Sequence, residues 1–178
     1  HIYSLSIHDA LPIFGILNAD MMLNFPDFRA HERAFQLMVQ VSGRAGRSKK
    51  QGKVIIQTYN PYHQILQQVS STDYITMFKE QLQDRWQYHY PPYFRLIKIT
   101  LKHKDYQKVD TGISWLSKAL QNVFREHVLG PSEPHVSRIR NQYIKNVMIK
   151  ISPKQYIGKT KQEIDKLKNT FKIARAHA

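Results

Sequence analysis

Two arginines on a glycine-containing stretch are the residues of this sequence best suited to chemistry. Arg44 and Arg47 are three positions apart, Gly43 and Gly46 directly precede them, and Gln40 lies one helical turn earlier. Glycine permits sharp turns and close approach to a ligand, and arginine presents a rigid charged fork that fits phosphate oxygens. Two such forks would hold a polyphosphate and stabilise the charge that develops as it is cleaved. The same string is compatible with a solvated basic loop, so both interpretations stay open here.

The elements around these arginines follow from local patterns. Pro26-Asp27 predicts a helix start with Asp27 as N-cap, and we expect this helix to end at Gly43. The apolar run at residues 14–17 predicts a buried strand of a parallel sheet, and residues 54–59 predict a second strand. Further along the chain, a helix is expected to start at Thr72 or Asp73, with Tyr74, Met77 and Phe78 on its buried side. Asp20 follows the carboxyl end of the strand at residues 14–17, where open α/β sheets bind ligands. It is therefore a candidate to orient an arginine or a nucleotide group, or alternatively to cap the next segment.

The whole string resembles the last helicase motif of superfamily-two helicases, and in detail the PriA family of replication-restart helicases. Asn18-Ala19-Asp20 and residues 52–58 fit that family too, and Pro91-Pro92 and Leu129-Gly130-Pro131 match it less specifically. The resemblance spans about residues 14–153 and is strongest over 15–60. It implies an α/β fold in which residues 14–90 form the end of a RecA-like second motor lobe.

Residues 91–178 are expected to form a small basic α+β domain after the boundary at Pro91-Pro92. Ile97, Ile99 and Leu101 alternate with polar residues and predict a strand. Residues 109–123 show a helical face, and a last helix contains Ile164 and Leu167. Residues 136–140 and 145–151 suggest a hairpin around Asn141-Gln142, with Val147, Ile149 and Ile151 facing inward. The predicted order β-α-β-β-α is ferredoxin-like but lacks one strand, and we interpret this as truncation or sequence error. Residues 1–13 fit no element and are interpreted as a non-native, adapter-like segment.

The resemblance also implies roles for the motif residues. Arg47 is assigned as the arginine finger and Arg44 as a ground-state phosphate contact, while Gln40, Gly43, Gly46 and Asp20 are assigned to ATP binding or coupling. The whole protein would be an ATP-dependent 3′-to-5′ DNA helicase that restarts stalled forks and assembles the primosome. ATP and magnesium would bind partly outside this segment, because the sequence has no phosphate-cradling loop and no Asp-Glu pair. The fragment alone is expected to be inactive.

The positive charge of the chain is concentrated in its C-terminal half. Residues 91–178 contain 18 lysines and arginines against 6 acidic residues, a formal charge of +12 out of the total of +14. Such a balance favours nucleic acid as partner. The candidate DNA contacts are the strand residues Lys98 and Lys102 and the hairpin residues Arg138 and Arg140. By resemblance, the partners would include fork and single-stranded DNA, the primosome and single-strand-binding proteins.

The composition excludes several classes of site. The sequence has no cysteine, which excludes disulfides and cysteine-ligated zinc, and we predict no metal site. The zinc of the family would belong to a module absent here. No apolar run reaches membrane-spanning length, and the resemblance implies a bacterial cytoplasmic protein without a membrane partner. Two alternatives stay open, a fragment of another superfamily-two DNA or RNA helicase and a non-enzymatic nucleic-acid-binding module.

Overall fold

The computed structural model describes residues 13–45 and 53–176, and the chain divides into two compact units. The first unit ends at Asp84 and the second begins at Arg85. The elements that begin in the first unit are β1 (Ile13–Ile16), α1 (Ala19–Leu23), α2 (Ala30–Ala45), β2 (Lys53–Ile56), α3 (Gln64–Ser70) and α4 (Tyr74–Gln87). The second unit contains β3 (Arg95–His103), α5 (Tyr106–Phe124), a 3₁₀ turn (Arg125–His127), β4 (Val128–Ser132), β5 (Arg138–Ile139), β6 (Gln142–Ile151) and α6 (Ile157–Ala176). The mixed α/β class predicted from the sequence is confirmed.

The first unit is built on a two-stranded parallel sheet. β1 and β2 pair in register from Ile13 opposite Lys53 to Ile16 opposite Ile56, which confirms the predicted parallel pairing. Of the predicted buried strand at residues 14–17, only Ile16 is buried, whereas Leu17 is 80% exposed and lies outside β1, so that prediction is wrong for most of these residues. Ile13 also lies inside β1, although the sequence assigned it to the non-native segment. The rest of that segment, residues 1–12, lies outside the described residues.

The core of the first unit lies between α2 and the two helices that follow β2. Phe35 and Met38 of α2 are buried and pack with Ile65 and Val69 of α3 and with Met77 of α4. Small residues complete the buried face of α2, since Ala30 and Ala34 are also buried. The unit is therefore held by one apolar cluster that places the C-terminal turn of α2 at a fixed position.

The second helix begins later and ends later than predicted. α2 starts at Ala30 because Asp27 opens a separate turn, in which its Oδ1 accepts a hydrogen bond from the Arg29 N–H at 2.9 Å. At the other end α2 continues through Gly43 to Ala45, so the predicted stop at Gly43 is wrong. Glycine inside a helix costs only about 1 kcal/mol relative to alanine. The burial of Ala45, which is 2% exposed, favours extending the helix past it.

The start of α4 agrees with the sequence, but its buried face does not. Asp73 caps the helix, because its Oδ1 accepts from the Thr76 N–H at 3.0 Å. Met77 is buried as predicted, whereas Tyr74 and Phe78 are 49% and 45% exposed. The two exposed rings stack on each other with centroids 5.9 Å apart. The two rings therefore pack against each other at the surface and not in the core.

The second unit is an antiparallel sheet covered by two helices. The strand order is β3-β6-β4, with the short β5 also pairing with β6. β6 is antiparallel to both neighbours, so β3 and β4 flank it as in a split β-α-β unit. The core on the helix side consists of residues from α5, the strands and α6, namely Ile113, Leu116, Leu120, Ile97, Ile99, Leu101, Val128, Val147, Ile149, Ile151, Ile164 and Leu167.

β4 was not predicted from the sequence. Its pairing with β6 shifts register between Leu129 and Ser132, and Gly130 lies at this irregularity with φ of 111°. A Cβ at Gly130 would lie 3.0 Å from the Asn146 carbonyl oxygen, so glycine is required both for the backbone angle and for the close approach. A five-residue strand interrupted in this way shows no alternation that a sequence pattern can detect.

The hairpin was predicted one residue out of place. The turn consists of Arg140 and Asn141, with φ of 49° and 60°, instead of Asn141-Gln142. Two central residues with positive φ match the twist of the flanking strands. Asparagine tolerates this conformation, but arginine adopts it rarely, which is why the sequence did not indicate the turn. The first strand is correspondingly shorter than predicted, Arg138–Ile139 in place of residues 136–140.

Candidate functional site

The phosphate-reaching motif lies at the C-terminal end of α2. Gln40 and Arg44 are one helical turn apart, so they share one side of the helix, and both are exposed. Gly43 lies between them inside the helix, and a Cβ there would meet nothing within 4 Å. Gly46 and Arg47 lie outside the described residues. Arg44 is thus presented on a helix and not on a loop as expected, and the ATP roles of all these residues stay predictions.

Asp20 connects the ends of the two parallel strands. Its Oδ1 accepts from the Thr58 hydroxyl at 2.9 Å and its Oδ2 from the Tyr59 N–H at 3.0 Å. The Tyr59 N–H lowers the pKa of Asp20 most strongly; burial opposes this shift, and the Thr58 hydroxyl adds a further lowering. These bonds explain why β2 ends at Ile56 and not at the predicted residue 59. Arg47, one of the arginines that Asp20 was expected to orient, lies outside the described residues, and the role of Asp20 toward a nucleotide stays a prediction.

Two histidines of the first unit meet where α2 approaches the start of α3. The His31 and His63 rings are in edge-to-face contact with centroids 5.4 Å apart. His63 caps α3, because its Nδ1 accepts from the Ile65 N–H at 3.2 Å. Burial first, and the neighbouring His63 second, lower the pKa of His31, and Asp84 of α4 opposes this. Within the described ranges, no three His, Asp or Glu residues cluster as a metal site.

This contact makes the stability of the first unit depend on pH. The unfolded chain protonates His31 near its ordinary pKa of 6.5, whereas the folded chain resists protonation, so stability is present above that value and lost as pH falls below it. We expect the urea midpoint to decrease from neutral to mildly acidic pH, and His31→Gln to flatten this decrease. His135→Gln, in the second unit, is the control. An identical pH profile for the wild type and His31→Gln would contradict this account.

The candidate DNA-binding lysines lie on the sheet face opposite the helices, which we call the outer face. Side chains alternate along each strand, and the residues of β3 and β6 in the helix-side core carry odd numbers. The outer face is formed by the even-numbered residues and by Leu129, which pairs with Met148. Lys98 and Lys102 both project from this face and are exposed. The two predicted strand contacts are therefore brought together on one surface.

The candidate arginines of the hairpin are placed differently. Arg138 pairs with Tyr143, an odd-numbered residue, and its guanidinium lies 4.8 Å from that ring centroid. Arg138 also donates to Asn141 Oδ1. Arg138 therefore lies on the helix side, held by two contacts, whereas Arg140 is exposed at the turn. The structure separates Arg138 from the lysine pair and places Arg140 at the end of the sheet.

Two other lysines of β6 are engaged inside the unit. Lys145 Nζ lies 2.5 Å from Asp110 Oδ1 and 3.4 Å from Glu133 Oε1, and it donates to the Tyr106 hydroxyl at 3.1 Å. The hydrogen bond to Asp110, followed by that to Tyr106, raises the pKa of Lys145 above its ordinary value. Lys150 donates to the Tyr88 carbonyl oxygen. The net charge of the unit therefore overstates the positive charge available to a partner.

The sequence of the second unit matches a known protein family. The family model for the primosomal protein N C-terminal domain matches residues 87–177, more than half of the chain. The chain belongs to the PriA family. Its sequence is 39% identical over 140 residues to the replication restart protein PriA of Bacillus subtilis, covering 78% of this chain and 17% of that relative.

Two further relatives carry the same name. The replication restart protein PriA of Synechocystis sp. is 34% identical over 142 residues, which is 79% of this chain and 17% of that protein. That of Borreliella burgdorferi is 31% identical over 160 residues, 89% of this chain and 23% of that protein. The chain therefore spans only about a fifth of the length of the curated PriA relatives it matches. The resemblance inferred from the arginine motif is confirmed at the level of the family.

Sequence reasoning missed several residues of the outer face of this PriA-family unit. Leu129 was part of an unpredicted strand, and Met148 and Lys150 were not considered as surface residues. Alternation along β6 was the available signal, because Val147, Ile149 and Ile151 were predicted to face inward and their neighbours must then face outward. None of the described helices is both long enough and apolar enough to cross a bilayer.

Proposed function

We propose that this chain is the C-terminal part of an ATP-dependent DNA helicase that unwinds with 3′-to-5′ polarity, restarts stalled replication forks and assembles the primosome. The observation that carries the proposal is membership of the PriA family, together with relatives named replication restart proteins. The parallel β1-β2 pair and the helix that leads to the arginines support the assignment of the first unit to the end of a RecA-like second motor lobe.

In this proposal the first motor lobe of the whole protein binds the triphosphate and magnesium. Arg44 and Arg47 approach the γ-phosphate from the second lobe, and Gln40 couples the motif to the nucleotide or to the first lobe. A guanidinium fixed at the developing negative charge stabilises the transition state without changing its own protonation. The zinc of the family would be held outside this sequence, which contains no cysteine. Closure of the lobes on ATP and their release on hydrolysis would move the motor along one strand.

DNA is the proposed partner of the second unit. The formal charge of +12 over residues 91–178 supports an anionic partner, and Lys98, Lys102 and Arg140 are exposed for phosphate contact. Arg138 would contribute mainly by holding the hairpin turn. The primosome and single-strand-binding proteins are proposed as further partners from the family alone, and the bacterial cytoplasm as the location.

A binding and turnover experiment on the 178-residue chain tests this proposal. We expect the chain to bind labelled single-stranded DNA weakly, with an affinity that falls steeply as salt is raised, because phosphate contacts release counterions. We expect no ATP hydrolysis beside it, because the sequence lacks the phosphate loop and the magnesium carboxylates. Salt-insensitive binding would contradict the electrostatic account, and measurable turnover would contradict the assignment of catalytic parts.

A further inference from the structure

The outer face of the second unit has a pattern that the net charge does not reveal. Its cross-strand rows are read from the pairing of β3, β6 and β4, in which residues directly opposite each other share a face. These rows are Leu96 with Lys150, Lys98 with Met148 and Leu129, Thr100 with Asn146 and Ser132, and Lys102 with Ile144. The face thus combines cationic, apolar and hydroxyl or amide side chains in adjacent rows.

The accessible part of this face lies on the flanking strands. Lys98, Thr100 and Lys102 are exposed along β3, and Leu129 on β4 is 43% exposed. The middle of the face is less accessible to a ligand. Asn146 is only 7% exposed there, and its Oδ1 accepts a hydrogen bond from the Thr100 hydroxyl at 2.9 Å. A ligand on this face would therefore meet cations on the β3 side and an apolar side chain on the β4 side.

All charged side chains that the strands contribute to this face are cationic. The four strands of this sheet contain no aspartate and no glutamate. Lys150 also lies on this face, but its ammonium group already has two partners within the unit. Its Nζ lies 4.0 Å from the Tyr90 ring centroid and donates a hydrogen bond to the Tyr88 carbonyl oxygen. Lys98 and Lys102 are therefore the cations that the face presents to a partner, and an anion is the ligand they complement.

The spacing of the two lysines fits a polynucleotide. Four residues along an antiparallel strand span about 14 Å, which equals the rise of about four stacked nucleotides at 3.4 Å each. Leu129 and Met148 lie beside this line and offer apolar contact, which bases accept only when they are free of a duplex. A duplex would present its phosphates to the lysines but would leave the apolar row without a partner.

We propose, resting on the proposed function, that the outer face binds single-stranded DNA along β3. Lys98 and Lys102 contact phosphates about four nucleotides apart, and the bases turn over Leu129 and Met148. Ile139, which is 48% exposed and shares this face through its pairing with Gln142, offers a second apolar contact near the hairpin. Because the proposed contacts are to phosphates and to the faces of bases, this face is expected to act as a platform that tolerates changes of sequence.

The test uses the full 178-residue chain and a labelled oligothymidylate, titrated by fluorescence anisotropy at several salt concentrations. Lys98→Gln/Lys102→Gln is compared with Lys108→Gln/Lys118→Gln, which removes the same charge from exposed positions of α5. Each lost phosphate contact lowers the slope of log K against log salt by about 0.7 for a single strand. We expect the first variant to lose about 1.4 from this slope and the second to keep it.

A second pair of variants tests the apolar row. Leu129→Ala is expected to weaken binding about fivefold, the equivalent of roughly 40 Å² of apolar contact, without changing the salt slope. Val123→Ala is the matched control, since Val123 is 44% exposed on α5 and Leu129 is 43% exposed on β4. Its affinity is expected to equal that of the unmodified chain.

The outcomes separate this proposal from the proposed function. Equal losses in the two lysine variants would show that only total charge matters and would overturn the platform, while leaving DNA binding intact. A duplex bound as tightly as the oligothymidylate, with no effect of Leu129→Ala, would overturn the single-stranded occupant. An unmodified chain that binds no DNA at any salt concentration would contradict the proposed function itself.

Discussion

In the full-length protein that contains this segment, Arg47→Ala is expected to lower DNA-stimulated ATP hydrolysis by roughly 10³–10⁵-fold. In the proposed function, this variant loses the fixed cation at the oxygen atoms where negative charge develops during cleavage of the γ-phosphate. Arg47→Lys is expected to fail as well, because an ammonium group cannot reproduce the planar fork of the guanidinium. Steady-state ATPase rates with and without single-stranded DNA measure both effects.

Arg33→Ala is the matched control for the arginine-finger assignment. Arg33 lies on α2, which ends two residues before Arg47 in the described structure, and its side chain is 55% exposed and forms a surface ion pair with Asp27 at 3.1 Å. Exposed pairs of this kind contribute about 0–1 kcal/mol, so this variant should retain its ATPase activity and its fold. Near-normal turnover in Arg47→Ala would remove Arg47 from the transition state, and equal losses in both variants would indicate a general effect on the lobe.

Strong periodic patterns predicted the second unit well. Ile97, Ile99 and Leu101 alternate along β3, and each packs against the helix-side core. The apolar face of α5 was predicted over residues 109–123; Val109 and Ile113 are completely buried, whereas Val123 at its end is 44% exposed, so the face ends earlier than predicted. Such patterns succeed because a strand or helix with one apolar side has only one way to remove that side from water.

Element ends and turns were predicted less well, for identifiable reasons. Gly43 suggested a helix end. The helix nevertheless continues to Ala45, two residues later, because the burial of Ala45 favours the helical conformation. Arg140 shows no turn signal of its own, because its positive φ is imposed by pairing of the strands on either side. These outcomes depend on tertiary contacts that lie beyond a local window of sequence.

The candidate DNA surface shows the same limit for charge. The number of charged residues predicted a basic C-terminal half of the chain. The alternation of side chains along β3 correctly grouped Lys98 with Lys102 on the face away from the hydrophobic core. Counting gave no sign that Lys145 is bound by Asp110 and Glu133, since these carboxylates are 35 and 12 positions away in sequence. Nor did it separate Arg138 from the lysines, because that separation depends on a hairpin register shifted by one residue.

Leu120→Ala is expected to destabilise the second unit by about 2–5 kcal/mol. Leu120 is completely buried in the cluster that joins α5 to β4 and β6, and its truncation leaves a cavity that the sheet cannot fill. The free energy of unfolding of such domains is only about 5–15 kcal/mol, so the variant would lose a large part of its stability. Both tryptophans of the chain, Trp86 and Trp115, lie in this unit, and their fluorescence in urea reports its unfolding directly.

Val123→Ala on the same helix separates packing from helix propensity. Val123 is 44% exposed, so its truncation removes little buried area and should shift the free energy of unfolding by no more than about 0.5 kcal/mol. Single-stranded DNA binding should fall in Leu120→Ala only at urea concentrations that unfold the unit, because Leu120 lies on the helix side of the sheet and the proposed platform on the other. Similar urea midpoints for the two variants would show that the helix-side core does not hold the outer face in place.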